Sequence, residues 1–254
     1  MVKALVLTGY GINCNEETKY AFERAGALTE QMHITELIEN KKKLETYHLL
    51  AFPGGFSYGD DTGSGKALAN RLRNTMWEEL LQFIAVGKLI IGICNGFQVM
   101  TNLGLLPAIT GEYGARTVAL THNTSARYEC RWVELIGSSK CIFTQGIDKI
   151  ELPIAHGEGR FYASDNTVNE LTKRDMIALR YAKNGFSAKG EFPYNPNGSL
   201  DDIAGICDES GRIFGLMPHP ERFIDTYQHP LWTKNLPKEG AGLQIFTNAV
   251  RYFI

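Results

Sequence analysis

The sequence has no apolar run approaching the roughly 20 residues that a membrane-spanning helix needs. The apolar stretch at its start, MVKALVLTG, is too short for a secretory leader and reads as a first strand. Cysteine is sparse: the five residues stand at positions 14, 94, 130, 141 and 207, an odd number with no CxxC spacing. That pattern excludes a disulfide scaffold and a cysteine-rich zinc site, gives no reason to expect a metal, and fits a reducing cytoplasm. Basic charge is not in surplus either. Lys and Arg number 26 against 28 Asp and Glu, a net charge of −2, so no nucleic-acid-binding face is expected. The basic triplet at 41–43 reads as a solvated helix face. Internal repeats, low-complexity tracts and linkers are missing, so residues 1–254 are read as a single domain. What is there is ordinary globular composition, 44% hydrophobic and 11% aromatic over 254 residues. A chain of this length buries roughly 70–75% of its unfolded surface without staples.

The first hundred residues alternate between strand and helix signals. Strands are expected at 3–8, 28–34, 48–52 and 88–93, the last a continuous apolar run as in a strand buried on both faces. Helices are expected at 16–25, capped by Asn13 or Asn15 and stopped by Gly26, and at 35–45, 67–85 and 97–103. This β-α-β-α rhythm predicts a parallel sheet with helices on both sides. From about residue 116 the texture changes. Strands are expected at 117–120, 127–136, 149–154, 176–181 and 213–217, a turn at 195–199 and a terminal helix at 242–253. The middle strands either extend the main sheet or form a small antiparallel layer.

Three motifs fail on inspection. Gly9-Tyr10-Gly11 follows the first strand as a dinucleotide fingerprint would, but the third glycine should fall at position 14, which is Cys14. The GSGK run at 63–66 lacks the phosphate loop's leading glycine, where Asp60 stands, and its hydroxyl, where Ala67 stands. The GFSYG run at 55–59 matches a serine nucleophile elbow in letters only. Pro53-Gly54-Gly55 breaks the strand early, and the following segment is polar and glycine-rich, so Ser57 is a poor nucleophile.

The run LIIGICNGFQVM at 89–100 has all the parts of an elbow: an apolar strand, Gly92, a nucleophile, Gly96 and an apolar helix. Such a turn holds Cys94 on strained backbone at a helix N-terminus, where the dipole favours thiolate over thiol. A base is available in FGLMPHPER at 214–222. Pro220 biases His219 toward extended geometry and excludes helix there, so His219 and Glu221 are expected on one side of the chain. Glu221 then holds one imidazole nitrogen while the other faces the thiol. For an oxyanion, the N–H of Asn95 and that of Gly55, with Gly54 close behind, are the candidate donors.

A PGG turn, a GICNGFQ elbow and a late HPE resemble class I (triad) glutamine amidotransferase domains. The blocks PGGFSYGD at 53–60, IAHGEGRFY at 154–162, NPNGSLDDIAGIC at 195–207 and MPHPER at 217–222 are similar to the glutaminase subunits of phosphoribosylformylglycinamidine synthase. The resemblance implies an α/β, flavodoxin-like three-layer sandwich, with a central mostly parallel sheet, helices on both faces and a small antiparallel addition. It implies hydrolysis of glutamine to glutamate and ammonia by Cys94, His219 and Glu221, with Gln98 at the substrate amide and Gly54, Gly55 and Asn95 around the oxyanion. The loop containing His156, Gly157 and Glu158 would lie near the substrate chiefly through backbone, His156 being structural. It further implies a free-standing glutaminase without a cofactor of its own. ATP and Mg²⁺ would sit on a separate synthetase subunit that converts formylglycinamide ribonucleotide to its amidine, and a small third protein would bridge the two. One departure from the family pattern is the pair Asp61-Thr62, where a bulkier pair is expected.

Overall fold

The computed structural model describes residues 1–60, 62–137, 140–234 and 237–254; Asp61, half of the departing pair, lies outside them. The first part of the chain runs β1 (Lys3–Thr8), α1 (Asn15–Arg24), β2 (Leu28–His33), α2 (Ile34–Glu39), β3 (Leu49–Phe52), α3 (Lys66–Thr75), α4 (Trp77–Ala85), β4 (Leu89–Ile93) and α5 (Asn95–Leu103). The second runs β5 (Val118–Thr121), β6 (Glu129–Gly137), β7 (Lys149–His156), β8 (Arg160–Ala163), α6 (Asp165–Lys173), β9 (Ile177–Lys183), β10 (Phe186–Ser187), β11 (Ile203–Cys207), β12 (Ile213–Leu216) and α7 (Leu243–Arg251).

One ten-stranded sheet has the order β2-β1-β3-β4-β12-β11-β9-β6-β7, with β10 beside β9. From β2 to β12 every pairing is parallel. From β12 outward through β11, β9, β6 and β7 every pairing is antiparallel. The expected fold class stands, and the antiparallel addition chiefly extends the main sheet; β5 and β8 form a separate two-stranded ribbon. Strands β3, β4, β11 and β12 are buried along their whole length, because helices cover both faces and leave no polar side. Edge strand β2 instead alternates buried and more exposed positions. Helices α1 and α7 pack through an edge-to-face contact of Phe22 and Phe246, centroids 4.9 Å apart. Among the described residues no helix is long and apolar enough to cross a membrane.

Several expected elements differ in detail. The helix expected at 35–45 breaks at Asn40 (φ −125°, ψ 53°) into α2 and a 3-10 turn, Lys41–Thr46. That expected at 67–85 breaks at buried Met76 (φ −129°, ψ 9°), which ends α3 and opens α4. Helix α1 is opened by Cys14, not by an asparagine: Thr18 returns both its N–H and its hydroxyl to the Cys14 carbonyl, at 3.1 and 2.7 Å. Four elements were not anticipated: β8, β10, β11 and α6. Helix α6 carried a signal, since the Ser164 hydroxyl accepts the Thr167 N–H at 3.2 Å as an N-cap.

Candidate active site

Parallel register brings three strand ends to one edge. Phe52 of β3 pairs with Gly92 of β4, and Leu216 of β12 pairs with Ile93. The residues that follow, Pro53-Gly54-Gly55, Cys94 and Met217-Pro218-His219, therefore stand side by side, as the crevice rule for parallel sheets anticipates. Cys94 has φ 51° and ψ −107°, a left-handed strained turn held by its N–H on the Leu216 carbonyl (2.8 Å) and by the Gln98 N–H on its own carbonyl (3.1 Å). Its side chain is nearly buried, and the thiol faces the Ala155 carbonyl at 3.8 Å.

His219 is fixed by its N–H on the Pro153 carbonyl at 2.8 Å, and its Nδ1 meets Glu221 Oε1 at 2.6 Å, both side chains buried. The expected pairing is present, but by another route. Pro220 does not exclude helix here: it opens a 3-10 turn, Pro220–Arg222, where its fixed φ and missing N–H are tolerated. Burial opposes charging of the His219 imidazole. The Glu221 carboxylate and the Cys94 and Cys14 thiols outweigh it and hold its pKa well above the ordinary histidine value.

These groups border a cleft of about 210 Å³ lined by Gly55, Cys94, Gln98 and His219 together with Tyr128 and Arg222. It is smaller than the roughly 300–1,000 Å³ of drug-sized ligand sites, a size for a small metabolite. Gly54, Asn95 and Glu221 stand immediately behind that surface. Gly54 must lack a side chain, since a Cβ there would come within 2.9 Å of His219 Cε1. The Asn95 side chain is fully engaged by the protein, accepting the Ser57 N–H at 3.1 Å and donating to Gln98 Oε1 at 2.9 Å and Asp60 Oδ1 at 3.3 Å. Its backbone N–H lies in the first turn of α5, where N–H groups lack intrahelical acceptors. The Gln98 amide is already engaged, its Nε2 donating to the Glu158 carbonyl. Gln98 thus holds the wall of the cleft as well as lining it.

His156 also lines the cleft, but it is tied to Asn123 through Nδ1 at 3.2 Å and through its carbonyl at 2.8 Å. Burial first, and His219 second, push its pKa down to about 3, which keeps it a neutral structural ring. Sequence reasoning missed Asn123, which also accepts the Gly159 N–H at 3.1 Å and donates to the Arg127 carbonyl at 2.9 Å; its partners at the cleft lie more than 30 positions away, and nothing local marks them. It also missed Cys14, although a signal existed. Strand β1 lies beside β3, so the segment after β1 must border the segment after β3, and indeed the Cys14 N–H donates to the Gly54 carbonyl at 3.2 Å. The arrangement offers a strained thiol, an imidazole with a carboxylate behind it, and candidate N–H donors: the parts needed for acyl transfer.

Comparison with known proteins gives a concordant result. A family model described as CobB/CobQ-like glutamine amidotransferase domain matches residues 1–253. The phosphoribosylformylglycinamidine synthase subunit PurQ of Methanococcus maripaludis strain S2 is 53% identical, over 99% of this chain and 97% of that protein. The subunit PurQ of Dehalococcoides mccartyi is 48% identical over 99% and 97%. Among solved structures, a chain of PurLQS from Thermotoga maritima superposes with a TM-score of 0.74 at 32% identity, covering 100% of this chain and 99% of that one.

Proposed function

The chain belongs to the CobB/CobQ-like glutamine amidotransferase family and, within it, to the PurQ subunits of phosphoribosylformylglycinamidine synthase, and we propose that its Cys94, His219 and Glu221 release ammonia from glutamine for a separate synthetase subunit. It is a glutaminase subunit of that synthase, an enzyme of purine biosynthesis. What carries the triad reading is the strained Cys94 in one cleft with the buried His219–Glu221 pair, 2.6 Å apart.

In this reading the Cys94 thiolate adds to the side-chain amide carbon of glutamine, and the carbonyl electrons move to oxygen. The backbone N–H groups of Gly55 and Asn95, with Gly54 behind, meet that oxyanion; losing one such donor costs roughly 3–4 kcal/mol of barrier. His219, steadied by Glu221, gives a proton to the departing nitrogen, because amide ion is not a viable leaving group. Ammonia leaves and a γ-glutamyl thioester remains on Cys94. Water then loses a proton to His219, attacks the thioester, and glutamate departs as the thiol re-forms.

The partners of this reading are a synthetase subunit and a small bridging subunit, as the composition of PurLQS suggests. ATP and Mg²⁺ belong to the synthetase, this chain needs no cofactor of its own, and the cytoplasm is the setting. The hydrophobic cluster running from Val2 to Val250 supports reading 1–254 as one domain. The test is glutamate release and ammonia-driven turnover in the assembled complex with ATP and formylglycinamide ribonucleotide. Cys94→Ala is expected to abolish glutamine-dependent turnover while added ammonia still supports the synthetase. Loss of both activities would make Cys94 a structural residue.

A further inference from the structure

Behind the His219 ring lies a second thiol that the proposed mechanism does not use. Cys14 is buried, and its Sγ accepts a hydrogen bond from Arg222 Nη2 at 3.0 Å while its S–H donates to Asn13 Oδ1 at 3.3 Å. Gly54 lets thiol and ring approach, since a Cβ there would stand 3.2 Å from Cys14 Sγ and 2.9 Å from His219 Cε1. One ligand atom each from Cys14, His219 and Glu221 lie within 4.8 Å of one another, and all three residues are buried. A second observation points to a ligand. Glu221 Oε2 is buried and accepts no hydrogen bond among the described residues, a costly state for a carboxylate oxygen.

We propose that Cys14, His219 and Glu221 form a binding site for a thiophilic divalent cation of the zinc class, which reversibly silences the glutaminase. Thiolate, imidazole and carboxylate are a ligand set that zinc accepts and that magnesium or calcium does not favour. With bonds of about 2.0–2.3 Å, tetrahedral ligand atoms stand about 3.5 Å apart, so Cys14 Sγ must draw in by roughly 1 Å while His219 Nδ1 and the Glu221 oxygen, now 2.6 Å apart, part by about as much to admit the ion. A metal–sulfur bond replaces the Cys14 S–H bond, and a metal–nitrogen bond replaces the proton shared between Nδ1 and Glu221. The displaced protons go to solvent. Arg222 keeps its N–H on the coordinated sulfur from outside the coordination shell, as outer partners commonly do. With Nδ1 on the ion, the ring proton must sit on Nε2, and no lone pair is left to accept another. The site itself does not depend on the proposed function; the silencing does, through the role given to His219.

The test uses the full chain carrying Cys130→Ser, which removes the exposed thiol. Zinc binding is followed by calorimetry, and cadmium binding by its sulfur-to-metal absorption. One ion per chain is expected, with the absorption retained in Cys94→Ala. Losing even an outer-shell partner costs about 10–100-fold in metal affinity, so Cys14→Ala and the volume-conserving Cys14→Ser should each weaken binding by more than about 100-fold. Absence of stoichiometric binding, or binding that survives Cys14→Ala and vanishes in Cys94→Ala, overturns the site. In the assembled complex zinc should stop glutamine-driven turnover, spare ammonia-driven turnover, and lose its effect in Cys14→Ala. Binding as expected without inhibition upholds the site but overturns both the silencing and the role of His219 as base.

Discussion

The two halves of the large sheet position the cleft by different means. On the parallel side, from β2 to β12, the elements meet by apolar burial and close backbone approach, and the strand ends present Gly54, Gly55, Cys94 and His219. On the antiparallel side the connections depend on buried polar groups. Asn197 donates to the Gly159 carbonyl at 2.8 Å and to the Tyr181 hydroxyl at 3.1 Å. Asn195 folds the turn at 195–199 by accepting the N–H groups of Gly198 and Ser199, at 2.9 and 3.1 Å. This half lends the cleft the Ala155 carbonyl toward Cys94 and the Glu158 carbonyl to Gln98, with the side chains of Tyr128 and His156 beside them. Packing thus sets the nucleophile, and hydrogen bonds set the wall opposite it.

The largest effect should come from disturbing the packed side. Gly96 lies in the first turn of α5, and a Cβ there would fall 1.8 Å from the Phe52 carbonyl oxygen, which is backbone at the end of β3. Neither element can yield, because both are buried. Gly96→Ala is expected to cost about 5 kcal/mol or more, lowering the melting temperature by at least about 10 °C. Calorimetry decides it. A shift of only a degree or two would mean that α5 can slide, and that Cys94 is not set by packing after all.

The same division explains what could be read from the sequence. Strand β4 and the elbow were legible because a strand buried on both faces must be apolar throughout, and a sharp turn into a helix leaves glycines on either side of the nucleophile. The His219–Glu221 pair was legible from spacing, although the turn that makes it is 3-10 and not extended. The break at Met76 was not legible, because it lies inside a continuous amphipathic pattern, whereas the break at Asn40 falls in the polar run 39–43, where the apolar spacing stops. Strand β8 and the role of Asn123 at the cleft were hidden for another reason. Strand β8 pairs with β5 some forty residues earlier and Asn123 holds His156 and Gly159, and a polar side chain that bridges two distant segments leaves no periodic mark on either.

A smaller loss is expected from the pair that joins the two sides, since His219 belongs to the segment after β12 but hangs its N–H on Pro153 of β7. Glu221→Gln keeps the shape and removes the charge that supports the imidazolium. Glutamine-driven kcat should fall by about 10²–10⁴, with ammonia-driven turnover unchanged, when both rates are measured in the complex. Wild-type glutamine turnover would remove Glu221 from the triad and leave His219 oriented by its backbone alone.

The smallest of the three effects should fall on the polar side, and on stability before activity. Asp202 is buried, and one carboxylate oxygen accepts the Ser187 hydroxyl at 2.5 Å and the Lys189 N–H at 2.6 Å, while the other accepts Gly190 N–H at 2.9 Å and Asn195 Nδ2 at 2.8 Å. These bonds tie the β9–β10 hairpin to the turn that carries Asn197. Asp202→Ala strands those donors and should cost about 2–4 kcal/mol, a fall of roughly 4–16 °C in melting temperature. Glutamine turnover per folded molecule should change little, because Asn197 still has Gly159 to hold. If turnover collapses while the melting temperature holds, the antiparallel half shapes the reacting geometry directly, and the division between a packed nucleophile and a hydrogen-bonded wall fails.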